Sequence, residues 1–149
     1  MKIQIMRIAH DDVKAKMPTR ATEGSAGLDL YAAIAAPVTI PPQGLTSVPT
    51  GIAVGFPSTA CAGFVFARSG LATRYGVALA NGVGVIDSDY TGEITVGLCN
   101  LSDRPYTLEP GERFAQLVIM QVSPVDIEWT DTLTATARSD AGFGSTGRF

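Results

Sequence analysis

The chain predicts an all-β domain, a sandwich or distorted barrel of many short strands, and three observations carry that expectation. Sixteen Gly and nine Pro punctuate short runs rich in β-branched and aromatic residues, as turn residues punctuate strands. No stretch holds an amphipathic helical period for three turns. With 149 residues, 46% of them apolar and 17% charged, the chain suits one domain with a real core rather than a disordered polymer.

Taken in order, the strand-like runs include KIQIMRI (2–8), PVTI (37–40), LTSVPTGIAVGF (45–56), AGFVFA (62–67), EITVGLCN (93–100) and RFAQLVIMQV (113–122). Turn signals stand between them at PPQG (41–44), PTG (49–51), DYTG (89–92) and EPGE (109–112). The one helical candidate is SGLATRYG (69–76), with Ser69 as its expected N-cap. No repeat or linker divides residues 1–133, which read as one β domain. From Thr134 to Phe149, TATARSDAGFGSTGRF has few large apolar residues and three closely spaced glycines. Such a tail cannot bury enough surface to order itself.

Composition removes several functions. A net charge of −3 with no basic stripe speaks against nucleic acid as a partner. Eight of the eleven basic residues are nonetheless Arg, the better fork for phosphate or carboxylate. No run approaches the roughly 18 apolar residues of a membrane span. The opening MKIQIMRIAHDD carries charge inside its apolar stretch and no small-residue cleavage site, so it is not read as a signal peptide. Cys61 and Cys99, each within an apolar strand-like run, read as buried thiols suited to a reducing cytoplasm. His10 is the only histidine, and neither a His-dependent triad nor a His/Cys zinc site finds its partners around it. Chemistry must then run on carboxylates, arginines, hydroxyls and backbone.

Five segments hold those groups. GFGSTG (142–147) matches G-x-G-x-x-G, but no strand precedes it and only Arg148 and Phe149 follow, so the dinucleotide-binding reading fails. What remains is a strip of N–H and hydroxyl donors suited to closing over an anion. GVGVIDSDYTGEI (82–94) packs Asp87, Asp89 and Glu93 among apolar and turn residues. Asp89 fits a structural turn role, whereas Asp87, behind the apolar run Val83–Ile86, is expected to face a protected site. Tyr90 on its own reads as packing. ARSGLA (67–72) sets Arg68, Ser69 and Gly70 at a strand-to-helix junction, where a guanidinium, a hydroxyl and backbone donors suit phosphate. In AGLDLYAA (26–33), Asp29 reads equally as a buried structural acid, and in RFAQLV (113–118), Gln116 reads as a polar residue on an exposed strand face.

In this order, AGLDLYAA, ARSGLA, NGVGVIDSDYTGEI, GERFAQLVI and RSDAGFGSTG resemble the five motifs of the dUTPase family, over positions 26 to 147. The resemblance implies a distorted, jelly-roll-like β barrel of the β-clip type, assembled as a homotrimer with active sites shared between subunits. It implies hydrolysis of dUTP to dUMP and pyrophosphate with Mg²⁺. Asp87 matches the general base that activates water for attack on the α-phosphorus. Tyr90 matches the aromatic residue that leaves no room for a 2′-hydroxyl. Asn81 and the backbone from Gly82 through Gly84 to Ile86 match the hairpin that reads uracil. Arg68, Ser69, Gly70 and Gln116 match phosphate contacts. Asp29 matches an acid that supports the metal through its water shell, the Mg²⁺ being held chiefly by the triphosphate. Arg138, Phe143, Gly144, Ser145 and Thr146 match the arm, residues 134–149, that closes over a neighbour's site, with Phe143 on the uracil.

Two departures from the pattern stand out. Ala67 occupies a position often filled by Pro. Ser139, Asp140 and Ala141 replace residues that are commonly Gly, Ser and Gly, so the arm is stiffer than usual and carries a negative charge toward a triphosphate. A dCTP deaminase of the same fold is the nearest alternative, but the position of its catalytic Glu is Gly97 here, which has no side chain for proton transfer. A regulator of the same fold that binds protein partners is the other alternative, with every motif still retaining its chemical residues.

Overall fold

A computed structural model describes residues 2–10, 13–137 and 139–140. They form β1 (Gln4–Arg7), β2 (Leu28–Tyr31), β3 (Val38–Ile40), β4 (Leu45–Pro49), β5 (Ile52–Gly55), β6 (Cys61–Ala67), α1 (Ser69–Tyr75), β7 (Val77–Leu79), β8 (Gly84–Ile86), β9 (Thr95–Asn100), β10 (Tyr106–Leu108) and β11 (Arg113–Gln121). The all-β expectation holds. Every pairing is antiparallel, in four sheets ordered β2-β11-β6-β8, β4-β9-β7, β1-β5 and β10-β3. Among the described residues these sheets are open, so the barrel is a loose one built from edges rather than a closed cylinder.

Short strands need a shared core, because an isolated two-stranded sheet is marginal in water. Leu30, Ile40, Val48, Leu98, Leu108, Phe114 and Leu117 are all but solvent-free and come from three of the sheets, and Ile94 just ahead of β9 is as deeply buried. Ile52 and Val54 of the β1-β5 sheet join them in one cluster. Each such side chain contributes on the order of 1.5–3 kcal/mol by leaving water. The buried polar group Asn100 is fully satisfied: its amide donates to Ile40 O and Arg104 O, and its carbonyl accepts from Ser102 N and Oγ. It ties the end of β9 to β3 and to the chain leading into β10.

The expected runs appear as strands, with one division: 45–56 splits into β4 and β5 around Gly51, whose φ is +68°. The loops PPQG and EPGE close as turns through Gly44 N to Pro41 O and Glu112 N to Glu109 O. Two expectations are corrected. The third-motif turn closes from Tyr90 N to Asp87 O, two residues earlier than DYTG suggests. The N-cap of α1 is Arg68, with no side-chain cap bond, so Ser69 is the first helical residue and its hydroxyl is not a cap. The helix stops where Gly76 turns left-handed and its N–H reaches back to Ala72 O and Leu71 O.

Cys61 is buried on β6 and Cys99 is partly buried on β9. No helix among the described residues is long and apolar enough to cross a membrane. Beyond β11, Val122 N still donates to Ala60 O. The described residues after it belong to no strand, and Val125, Ile127, Trp129 and Leu133 are exposed.

Candidate active site

Strand β11 lies between β2 and β6, and its register brings three motifs to one place. Gln116 sits opposite Asp29 on one side and Phe66 on the other. Strand β6 then runs out through Arg68 into α1. Asp29 is only 8% exposed, and a buried carboxylate must be paired. Arg68 Nε stands 3.2 Å from its Oδ1 and Arg113 Nη1 3.0 Å from its Oδ2. Arg68 also donates from Nη1 to the backbone carbonyl of Arg113, which ties its side chain to the start of β11. The Gln116 amide donates to Ala67 O, pinning the chain just before Arg68. A β-carbon at Gly27 would fall 2.7 Å from Gln116 Oε1, so the glycine in AGLD makes room for that side chain. Nearby, Tyr106 donates to Glu112. Burial, then that bond, push its phenol above the ordinary tyrosine range, so it stays protonated at any working pH. Ser69 and Gly70 are exposed at the start of the helix.

The second group flanks β8 on both sides. Asn81, Gly82 and Val83 form an exposed bend between β7 and β8, with Gly82 at φ +73° and Val83 N donating to Asn81 O. Gly84 and Ile86 are half-buried, and Val85 is exposed between them. Asp87 is exposed in the single chain, not sheltered as the sequence suggests. Asp89 is an exposed turn residue, as expected. Tyr90 is 45% exposed. Its hydroxyl donates to Glu93 O, and a β-carbon at Gly92 would lie 2.5 Å from that hydroxyl. An open hollow of about 230 Å³ is lined by Val85, Ile86, Asp87, Tyr90 and Thr95 among others.

Asp87 and the Arg68 group are not brought together within one chain. Strand β8 runs antiparallel to β6 with Ile86 opposite Gly63 and Gly84 opposite Val65. Asp87 therefore falls level with Ala62, and Arg68 lies six residues further along β6. At about 3.3 Å per residue that is roughly 20 Å, far beyond hydrogen-bond reach. Arg138, Phe143, Gly144, Ser145 and Thr146 lie outside the described residues. Among the described residues no cluster of three or more His, Cys, Asp or Glu side chains is arranged to hold a metal.

Sequence reasoning missed Arg113, although its position three residues before Gln116 and next to a turn was a usable signal. It also left Glu93 without a role. His10 proves to bond Glu93, Nε2 to Oε1 at 2.8 Å.

Known proteins resemble the chain closely. The dUTPase family model matches residues 13–147. The deoxyuridine 5'-triphosphate nucleotidohydrolase of Desulfitobacterium hafniense (strain DSM 10664 / DCB-2) is 46% identical over 147 residues, 99% of this chain and 97% of that protein. The protein of the same name from Bordetella avium (strain 197N) is 44% identical over 148 residues, 99% of each. Among solved structures, Staphylococcus bacteriophage 80alpha dUTPase with dUPNHPP superposes with a TM-score of 0.87 at 24% identity, over 99% of both chains. This confirms the fold. The chain belongs to the dUTPase family.

Proposed function

We propose that the chain is a dUTP diphosphatase that hydrolyses dUTP to dUMP and pyrophosphate, with Asp87 activating the water that attacks the α-phosphorus. Family membership over nearly the whole chain carries the reaction. The exposed Asp87 carboxylate beside a hollow supports its role as base, because it is open to a bound water. Tyr90, anchored through Glu93 O, forms the wall against C2′. The bend from Asn81 through Gly84 to Ile86 presents backbone groups to the uracil edge. The guanidinium of Arg68, aligned by Asp29 and Arg113 O, with Ser69, Gly70 and Gln116, holds the phosphate chain.

The same reading makes the enzyme a homotrimer with composite sites. The observation behind this is the separation of roughly 20 Å between Asp87 and Arg68 along β6: base and phosphate cradle meet only if they come from different copies. Exposed Val125, Ile127 and Trp129 alternate in sequence with Asp126 and Glu128 in a segment that belongs to no strand among the described residues, the pattern of a strand that finds its face on another subunit. The arm at 134–149, with Arg138, Phe143, Gly144, Ser145 and Thr146, then closes over a neighbour's site.

Mg²⁺ fits as an ion that arrives with its substrate. Both oxygens of Asp29 already face guanidinium groups, so Asp29 reaches the ion only through water and the triphosphate supplies the ligands. When bound, the ion neutralises phosphate charge. The cytoplasm suits this role and the thiols of Cys61 and Cys99. A deaminase reading gains nothing from the structure, since Gly97 on β9 offers no proton-transfer group. Incubation with dUTP, dCTP or UTP and Mg²⁺ in ¹⁸O-labelled water tests the proposal. The expected products are dUMP carrying the label and unlabelled pyrophosphate, from dUTP alone. Label in pyrophosphate, or ammonia released from dCTP, would overturn it.

A further inference from the structure

Asp87 and Tyr90 stand on the loop 87–94, which leaves β8 of one sheet and enters β9 of another. Inside the loop the bonds are local, Tyr90 N to Asp87 O and Tyr90 Oη to Glu93 O. Such bonds hold the loop's shape but not its place on the protein. Glu93 supplies the place. Its Oε1 accepts from Gly51 N at 2.7 Å and from His10 Nε2 at 2.8 Å. A carboxylate can only accept here, so the His10 Nε2 carries the hydrogen.

The anchor itself is rigid. Gly51 is left-handed at φ +68°, its carbonyl accepts from Ile8 N, and a β-carbon on it would lie 2.6 Å from the Ala15 Cβ. The next residue, Ile94, is buried, with its carbonyl accepting from Thr50 N and Thr50 Oγ1 and its N–H donating to Ile52 O. Glu93 thus transmits the position of the β4–β5 turn, through its own carbonyl and Tyr90, to Asp87.

We infer that Glu93 is a positioning residue for the reaction, setting Tyr90 and Asp87 against substrate by clamping their loop to Gly51 and His10. The inference rests on the roles proposed above for Asp87 and Tyr90. It places the effect in the chemical step and in sugar selection, not in phosphate binding, because Asp29, Arg68 and Gln116 belong to the other end of β6.

The test measures kcat and KM for dUTP and UTP on the full-length assembled protein carrying Glu93→Ala, Glu93→Asp or Glu93→Gln, with Asp87→Asn alongside. A displacement of about 1 Å costs up to about a hundredfold. Glu93→Ala is therefore expected to lower kcat about ten- to a hundredfold with KM changed less than about threefold, and to narrow the dUTP/UTP ratio. Glu93→Asp, one methylene too short for Gly51 N, should behave alike. Glu93→Gln, whose amide oxygen can still accept from Gly51, should recover most of the loss. Wild-type kcat and selectivity in Glu93→Ala would overturn the inference, as would failure of both Ala and Asp variants to fold, which would make Glu93 a folding residue. Should Asp87→Asn remain active instead, the reading of the site itself fails, and the two failures are told apart.

Discussion

Asp29 and Asp87 are the same side chain in opposite surroundings. Asp29 is buried against two guanidinium groups, and its charge is spent on holding Arg68 in place. Asp87 is exposed in the single chain. Replacing Asp87 by Asn keeps the shape and removes the basic lone pair, so folding should be untouched. Surface changes of this kind stay within about 0.5 kcal/mol, while loss of a general base lowers turnover by roughly 10²–10⁴. Thermal melting and kcat measured on the same sample check both halves. Tyr90→Ala opens the wall beside C2′ and should bring kcat/KM for UTP closer to that for dUTP. An unchanged ratio would put sugar selection elsewhere. VIDSDY singled out Asp87 as a candidate base, but its exposure in the single chain was not legible. Nor was the pairing of Asp29 with Arg113, because residues 84 positions apart meet only through the register of β2 and β11.

At the scale of elements, the turn between β4 and β5 shows what a short signal can and cannot say. PTG announced a turn, yet not that Gly51 would meet Ile8 and Ala15 from the N-terminal stretch and Glu93 from the loop before β9. Gly51→Ala puts a β-carbon into both a left-handed backbone and the Ala15 side chain. It should destabilise the protein by about 2–4 kcal/mol, read as a lower denaturant midpoint with an unchanged slope. Wild-type stability would mean that the turn can relax. Long runs such as 113–122 declared themselves through their length and apolar content. The strands β2, β7, β8 and β10 are only three or four residues long and did not, since so few residues define no period. Strand β2 was further disguised by Asp29, a charge that becomes tolerable inside only once Arg68 and Arg113 arrive. The helix was legible, whereas its cap was not, because Ser69 is helical and Arg68 precedes it without a side-chain bond.

At the scale of the molecule, the proposed base and the proposed phosphate cradle stand apart within one chain. Asp87 lies toward one end of the β6–β8 pairing, and Arg68, Asp29 and Gln116 toward the other, where the bend at 81–83 also enters β8. The sequence motifs gave the parts in order along the chain, but the antiparallel register that separates them in space is a tertiary fact. Val125, Ile127 and Trp129 are exposed in the single chain, as the proposed assembly requires of residues that another copy covers. Subunit mixing tests this composite site most directly. One chain carries Asp87→Asn with Arg68 intact, and the other carries Arg68→Ala with Asp87 intact. Each alone should assemble and be nearly inactive. Unfolded together in equal amounts and refolded, they should regain about a quarter of wild-type activity, because a site drawing base and guanidinium from two chains has about one chance in two for each in a closed ring. Mixed assemblies verified by mass spectrometry whose activity stays at the sum of the two parents would contradict the account, since a site built within one chain can never unite the two intact residues.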